Sequence, residues 1–276
     1  MRTTVRTYQE WHLGDNLIHL HFLRSIAAAN PDVQFIHAAQ ECYVWQMSEM
    51  VADLANISLI PLADAARQGG HTWHNSWKNA EGYFDSHPRG RSFCEFHLDW
   101  FAHLASRIGF ASPFMKNEDL RFDYPALFRI TERFPPDGDF DFLVINSMPC
   151  SGQMPAYNSP EYLDPLLAEL VGAGHSVVVT QPTKVQQSPA RSDAGRILCT
   201  MDYKASVTDI GRLSRRCKHH LMVSTGPALP VLNKWNLPSD NLRVIMIGTE
   251  QLNFPSLRHA ANREQCREFI VERGLL

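Results

Sequence analysis

Short runs rich in β-branched residues alternate along this chain with stretches whose apolar residues recur every three or four positions. That alternation constrains the fold more than any other feature. Thr3–Tyr8 reads as a strand. Leu17, Leu20, Leu23 and Ile26–Ala28 then fall at helical spacing until Asn30-Pro31 stops them, and Val33–Ala39 is a second strand. Tyr43–Asn56 predicts another helix and Ile57–Leu62 a third strand. Strand, loop, helix, strand is the building unit of a parallel α/β sheet, because parallel neighbours need a crossover between them.

The pattern breaks at "QGGHTWHNSWKNAEGYFDSHPRG" (68–90), which has no period but carries tryptophan, histidine and asparagine. A segment this long without order in a patterned chain is functional or disordered, and its aromatic residues argue against disorder. An amphipathic helix follows and stops at Gly109. Glu132–Asp141 then concentrates Pro, Gly and Asp, as linkers do. Beyond it the alternation resumes. Strands are expected at 141–147, 175–181, 196–201, 219–225 and 242–248, with helices from Ser159, over 207–217 with Thr208 as cap, over 226–236 and over 262–274. The expected organisation is a domain over 1–134, a linker at 135–139 and a second domain over 140–276.

Composition narrows the class. With 276 residues, 44% hydrophobic and 20% charged, the chain can bury two ordinary cores. A net charge of −3 argues against nucleic acid as a partner. Six cysteines, none in a CxxC pair, read as free thiols of a reducing compartment. The first residues lack the apolar core of a signal peptide, and no run approaches a membrane span, so a cytoplasmic protein is expected, with peripheral membrane contact still open to it.

Two stretches carry chemistry. In "HLGDNLIHLHFLRS", Asp15 follows a strand end and opens a helix. In open parallel sheets ligands lie beyond the carboxyl ends of strands, so Asp15 is either a helix N-cap or a carboxylate facing a ligand. A helix N-terminus should lower its pKa and weaken it as a base unless burial restores basicity. Glu10 and His12 are nearby alternatives. In "LMVSTGPALPVLNKW", the strand ends at Val223, and Ser224, Thr225, Gly226 and Pro227 lead into a helix. Two hydroxyls and free N–H groups there form either a plain turn or an anion site for a phosphate or diphosphate. Trp73, His74, Trp77 and Tyr83 either pack their loop or offer flat faces to a sugar. The thirteen histidines show no ligand-like spacing, so a metal is not expected and they read as structural.

The ordered set "GDNLIHLHFLRSIAAANPDVQFIHAA", "EFHLDWFAHLASRIGF", "LLAELVGAGHSVVVTQ" and "CKHHLMVSTGPALPVLNKWNLP" resembles the heptosyltransferase-like glycosyltransferases, those related to the ADP-heptose:lipopolysaccharide enzymes. The resemblance implies a GT-B fold, two Rossmann-like parallel-sheet domains facing across a cleft. It implies an inverting, metal-independent transfer from a nucleotide-sugar, with no cofactor beyond that co-substrate, to a glycan or lipid-linked acceptor. Asp15 matches the catalytic base, with Gly14, Asn16, Trp73, His74 and Trp77 on the acceptor side. Thr225, Gly226 and Pro227 match the diphosphate turn; Val223 and Ser224 stand before them where such turns often carry Asp or Asn, and Ser224 is kept on the donor side for its hydroxyl. The basic residue that such proteins carry after the first strand of the second domain has no counterpart near Asn146, and Lys184 is the nearest substitute. That departure leaves a second reading, a non-catalytic nucleotide- or glycan-binding module.

Overall fold

A computed structural model describes residues 3–76, 78, 93–113, 121–129, 134, 139–147, 159–187, 196–237, 244–248 and 257–276. They form two compact units, one chiefly Met1–Leu120 with Tyr124–Ala126, the other chiefly Leu127–Gln251 with Arg121–Asp123 and Ser256–Leu276. Of the linker residues 135–139, only Asp139 is among the described residues.

The first unit is a parallel sheet in the order β3-β2-β1-β4. Its strands are β1 (Thr4–Tyr8), β2 (Gln34–Ala39), β3 (Ile57–Pro61) and β4 (His74–Asn75). Helices α1 (Leu13–Ala29), α2 (Glu41–Val51), α3 (Leu62–Arg67) and α4 (Phe93–Ile108) alternate with them or follow them. β4 lies inside the segment that has no sequence period, and pairing with β1 makes it a strand although two residues are too few to show alternation. α1 buries Leu17, Leu20, Phe22, Leu23 and Ile26. It stops where predicted because side chains take over its last carbonyls. Asn30 Nδ2 donates to the Ile26 carbonyl at 2.7 Å, and Asn56 Nδ2 donates to that of Ala27 at 2.9 Å. α4 ends at Gly109, whose φ of 87° is the left-handed conformation a helix terminus favours in glycine.

The second unit is a six-stranded sheet in the order β10-β9-β8-β5-β6-β7. Its strands are β5 (Phe140–Ile145), β6 (Val177–Val179), β7 (Ile197–Cys199), β8 (Cys217–Val223), β9 (Val244–Ile247) and β10 (Arg258–Ala260), and every pairing is parallel. Helices α5 (Asp164–Gly172), α6 (Lys184–Gln187), α7 (Val207–Ser214) and α8 (Arg263–Val271) connect them or close the chain. Phe142, Val144, Leu166, Leu170, Val177, Val179, Leu221 and Ile245 share one core. Each such side chain contributes roughly 1.5–3 kcal/mol by leaving water. No helix among the described residues is long and apolar enough to cross a membrane.

Two local expectations are corrected. Thr208 does not cap α7. Ser206 does, its hydroxyl accepting from the Asp209 N–H at 3.1 Å while Asp209 Oδ2 accepts from the Ser206 N–H at 2.9 Å. "SVTD" thus forms a capping box two residues earlier, and Thr208 is buried inside the helix. Residues 226–236 do not form an α-helix either. Gly226–Val231 is a short 3-10 helix, because Pro230 lacks an N–H and its ring would collide with the Gly226 carbonyl in α geometry.

α7 packs on this 3-10 helix at Gly211. A methyl group there would stand 2.7 Å from Leu127 Cδ2 and 2.9 Å from Pro230 Cβ. Gly211→Ala is therefore expected to cost about 1–3 kcal/mol through overpacking, read as a lower urea midpoint; an unchanged midpoint would mean that the Pro230 face yields.

Candidate functional site

Each sheet reverses its strand order once, and ligands of parallel sheets bind beyond the carboxyl ends of the strands at that reversal. In the first unit the reversal lies between β1 and β4, since β1 also pairs with β2 and the chain then moves on to β3. In the second it lies between β5 and β8.

Beyond β1 the chain turns through Gln9–His12 into α1, so Gly14 and Asp15 are the second and third residues of the helix. Asp15 is not the cap. His12 occupies that position, and its N–H donates to Asp15 Oδ2 at 3.1 Å. The helix starts one residue before the Gly-Asp pair, which moves the carboxylate from the helix mouth into its first turn. The expected pKa direction is also reversed. Burial is the largest influence on Asp15 and raises its pKa above the ordinary 3.8, outweighing the His12 N–H and the His12 ring, which both lower it. A carboxylate so placed is a stronger base than a solvated one.

Asn16 points inward and is fully buried. Its Nδ2 donates to the carbonyls of His12 at 2.9 Å and Trp11 at 3.4 Å, and its Oδ1 faces His37 Nε2 at 3.2 Å. His37 Nδ1 lies 3.0 Å from Thr7 Oγ1, its neighbour across the β1–β2 pair. His19 stacks on His37 with ring centroids 4.7 Å apart and its Nδ1 3.4 Å from Ser76 Oγ, which also receives the Gln9 amide at 3.3 Å. Burial lowers the pKa of His37 to about 3, and burial followed by the neighbouring His37 and His97 lowers that of His19 well below 6.5. Both rings are therefore neutral in ordinary buffers.

β4 brings the aromatic segment alongside, with His74 opposite Thr7 and Asn75 opposite Tyr8. His74 is half-buried, and burial, then Arg107, lowers its pKa. Trp73 is half-buried with its indole nitrogen enclosed. Trp77 and Tyr83 lie outside the described residues. Lys78 places its ammonium 5.4 Å from the Tyr8 ring centroid, and Trp11 is 50% exposed just before the His12 cap. Neither residue was singled out from sequence. A lone lysine in a polar segment carries no signal, and Trp11 stands out only by its exposure next to the His12 cap.

In the second unit Ile145 is level with Met222, so the chain leaves β5 at Asn146 beside the end of β8, which runs one residue further to Val223 before Ser224. Asn146 is buried and its amide serves the scaffold. Oδ1 accepts from the N–H groups of Thr180 at 3.0 Å and Gln181 at 2.9 Å, and Nδ2 donates to the Gln181 carbonyl at 3.0 Å. Ser224, Thr225, Gly226 and Pro227 are half-buried, and the Thr225 hydroxyl turns back to the Val223 carbonyl at 3.3 Å. The α-helix expected to begin at this turn is replaced by a six-residue 3-10 helix. What remains for an anion is the turn's own N–H groups and the Ser224 hydroxyl. Lys184 is exposed and pairs with Glu161 at 2.7 Å. Among the described residues no group of three or more His, Cys, Asp or Glu is arranged to hold a metal ion.

No family model matches the chain, and no curated protein matches it in sequence. Solved structures do match it in fold. Escherichia coli heptosyltransferase WaaC with ADP aligns over 98% of this chain and 99% of its own, with a TM-score of 0.59 and 13% identity. A family 9 glycosyltransferase from Veillonella parvula aligns over 99% and 90%, with a TM-score of 0.52 and 12% identity. TibC, an iron-containing dodecameric glycosyltransferase of enterotoxigenic E. coli, aligns over 91% of this chain and 60% of its own, with a TM-score of 0.50 and 10% identity. At these identities the likeness is one of fold: the chain shares the GT-B type of architecture of these glycosyltransferases, two Rossmann-like parallel-sheet units.

Proposed function

We propose that the chain is a glycosyltransferase that moves a sugar from a nucleotide-sugar to a hydroxyl of a glycan or lipid-linked acceptor, with inversion and without a metal or other cofactor. The observation that carries this reading is the Asp15 carboxylate, made more basic by burial and standing at the carboxyl end of the strand where the first sheet reverses order. The fold shared with a heptosyltransferase that is described with ADP supports a nucleoside diphosphate as the leaving group. The setting that fits such a reaction is the cytoplasm, with a lipid-linked acceptor met at a membrane surface.

In this reading Asp15 takes the proton of the acceptor hydroxyl as its oxygen bonds to the anomeric carbon. The bond from that carbon to the diphosphate breaks in the same displacement, so the configuration inverts and the nucleoside diphosphate departs. The turn Ser224–Pro227 offers hydrogen bonds to the departing oxygens. Asn146 holds that end of the sheet. Lys184 can contribute once it leaves Glu161, a cheap exchange because water screens an exposed ion pair. Trp73, His74 and Trp77, with Gly14 and Asn16 beside the base, belong to the acceptor side.

Calorimetric titration with ADP, GDP and UDP is expected to show saturable binding of at least one. Gly226 is not among the residues with positive φ, so its backbone does not require glycine. Gly226→Glu would set a carboxylate against the diphosphate and is expected to weaken that binding by about tenfold or more, with the melting temperature kept. Unchanged affinity in Gly226→Glu would remove the donor assignment. Binding of a nucleotide with neither transfer nor donor hydrolysis would favour the non-catalytic reading, to which the pairing of Lys184 with Glu161 also lends support.

A further inference from the structure

We propose that Thr7, His37 and Asn16 form a one-way hydrogen-bond chain whose task is to position Asp15, with His37 as its central positioning residue. The proposal deepens the reading of Asp15 as the base and rests on it for its kinetic part.

The direction of the chain follows from donors and acceptors alone. Trp11 and His12 present carbonyl oxygens to Asn16, and a carbonyl can only accept. The amide nitrogen of Asn16 must therefore face them, which turns Oδ1 to His37. An amide oxygen also only accepts, so His37 Nε2 carries the proton. A neutral imidazole with a proton on Nε2 has a bare Nδ1, and the hydroxyl of Thr7 donates to it. The order is thus Thr7 O–H to His37, His37 N–H to Asn16, and Asn16 to the two carbonyls of the turn. The N–H of His12 then completes the path on Asp15 Oδ2. The chain crosses β1 and β2 to reach the first turn of α1, and all three of its side chains are wholly buried.

The arrangement is poorly suited to stability alone. His19 Nε2 and Gln9 Oε1, both in the same polar cluster, are buried without a hydrogen-bond partner. Leaving such an atom unsatisfied is destabilising, because its hydrogen bond to water is lost and not replaced. An apolar layer of the same volume under the end of β1 would avoid that cost. What an apolar layer cannot do is hold two specific carbonyls, because dispersion has no direction. Stacking by His19 restricts the His37 ring from one side, and its bond to Ser76 ties the end of β4 to the same cluster. The cluster therefore fixes the turn Trp11–Asp15 at the expense of packing.

The test uses the full chain labelled with ¹⁵N-histidine and ¹³C-aspartate. At neutral pH the His37 resonance, assigned by its loss in His37→Leu, is expected to show protonated Nε2 and bare Nδ1. Thr7→Val is expected to weaken that single-tautomer pattern and Thr7→Ser to restore it. In His37→Leu the Asp15 carboxyl is expected to titrate closer to its ordinary value, because a loosened turn admits water. Turnover is expected to fall by roughly 10–100-fold for a slight misplacement of the base, with ADP affinity near wild type, a lower melting temperature in His37→Leu because the Asn16 and Thr7 side chains lose their partner, and Thr7→Ser rescuing Thr7→Val.

A His37 proton on Nδ1, or an Asp15 titration that neither His37→Leu nor Thr7→Val moves, overturns the proposal. Should His37→Leu fail to fold, Thr7→Val and the wild-type tautomer decide it. A wild-type protein without transferase activity, yet with Asp15 titration that follows His37, would discard the glycosyltransferase reading and retain the positioning chain. An active enzyme whose turnover and Asp15 titration ignore both substitutions would do the reverse.

Discussion

Asp15→Asn is expected to lower turnover by about 10²–10⁴-fold, the usual contribution of a general base, while nucleotide affinity and fold persist. The pH dependence follows from the direction of the pKa shift. Burial raises the folded pKa of Asp15, so the base becomes active only as pH climbs through that raised value, and the rate should rise with pH on its acid side. In Asp15→Asn that limb should vanish. Stability carries the opposite sign. A carboxyl whose folded pKa lies above its unfolded value contributes stability below the unfolded pKa and loses it as pH rises through the folded one. At neutral pH the asparagine variant should therefore melt no lower than wild type. Steady-state rates across pH, paired with melting curves, check both statements. Activity near wild type in Asp15→Asn would remove Asp15 from the base role and return attention to His12 and Glu10.

Asp209→Ala has the largest expected effect on the fold. Its carboxylate accepts from the Ser206 N–H and hydroxyl, at 2.9 and 3.0 Å, and from Arg212 Nη1 at 3.1 Å, all inside the second unit. Removing one member of a buried ion pair costs about 3–5 kcal/mol, and here the capping box goes with it. For a unit of this size that is a fall in melting temperature on the order of 10 °C. The damage should reach the candidate donor turn, because α7 packs against the 3-10 helix that begins at Gly226. Calorimetry of Asp209→Ala beside Asp209→Asn, which keeps the shape and part of the hydrogen bonding, measures it. A loss below 1 kcal/mol in Asp209→Ala would mean that Arg212 and the Ser206 cap are held by other groups.

Much of the fold was legible in the sequence. The apolar spacing of α1, its stop at Asn30-Pro31 and the alternation of β1 depend on near neighbours. The second series of strands followed from the same reasoning. β4 was not legible, since its two residues become a strand only through the edge that β1 presents. The helix expected after Gly226 failed for a reason present in the sequence, Pro230, which was given too little weight against the apolar spacing around it. In the candidate site, Asp15 and the Ser224–Pro227 turn were visible as residue types at strand ends. The inward turn of Asn16, the scaffold role of Asn146 and the ion pair of Lys184 were not.

By itself, then, the sequence determined the parallel α/β class, the order of its elements and the two turns where chemistry is expected, because periodicity and helix stops are set within a few residues. Tertiary structure alone decided which residue caps α1 and in which direction the Asp15 pKa moves. It also decided that Thr7, His37 and Asn16 meet. Those partners lie 30 and 21 positions apart. Desolvation and hydrogen bonding act through space, so no local pattern announces them until the sheet has brought the strands together.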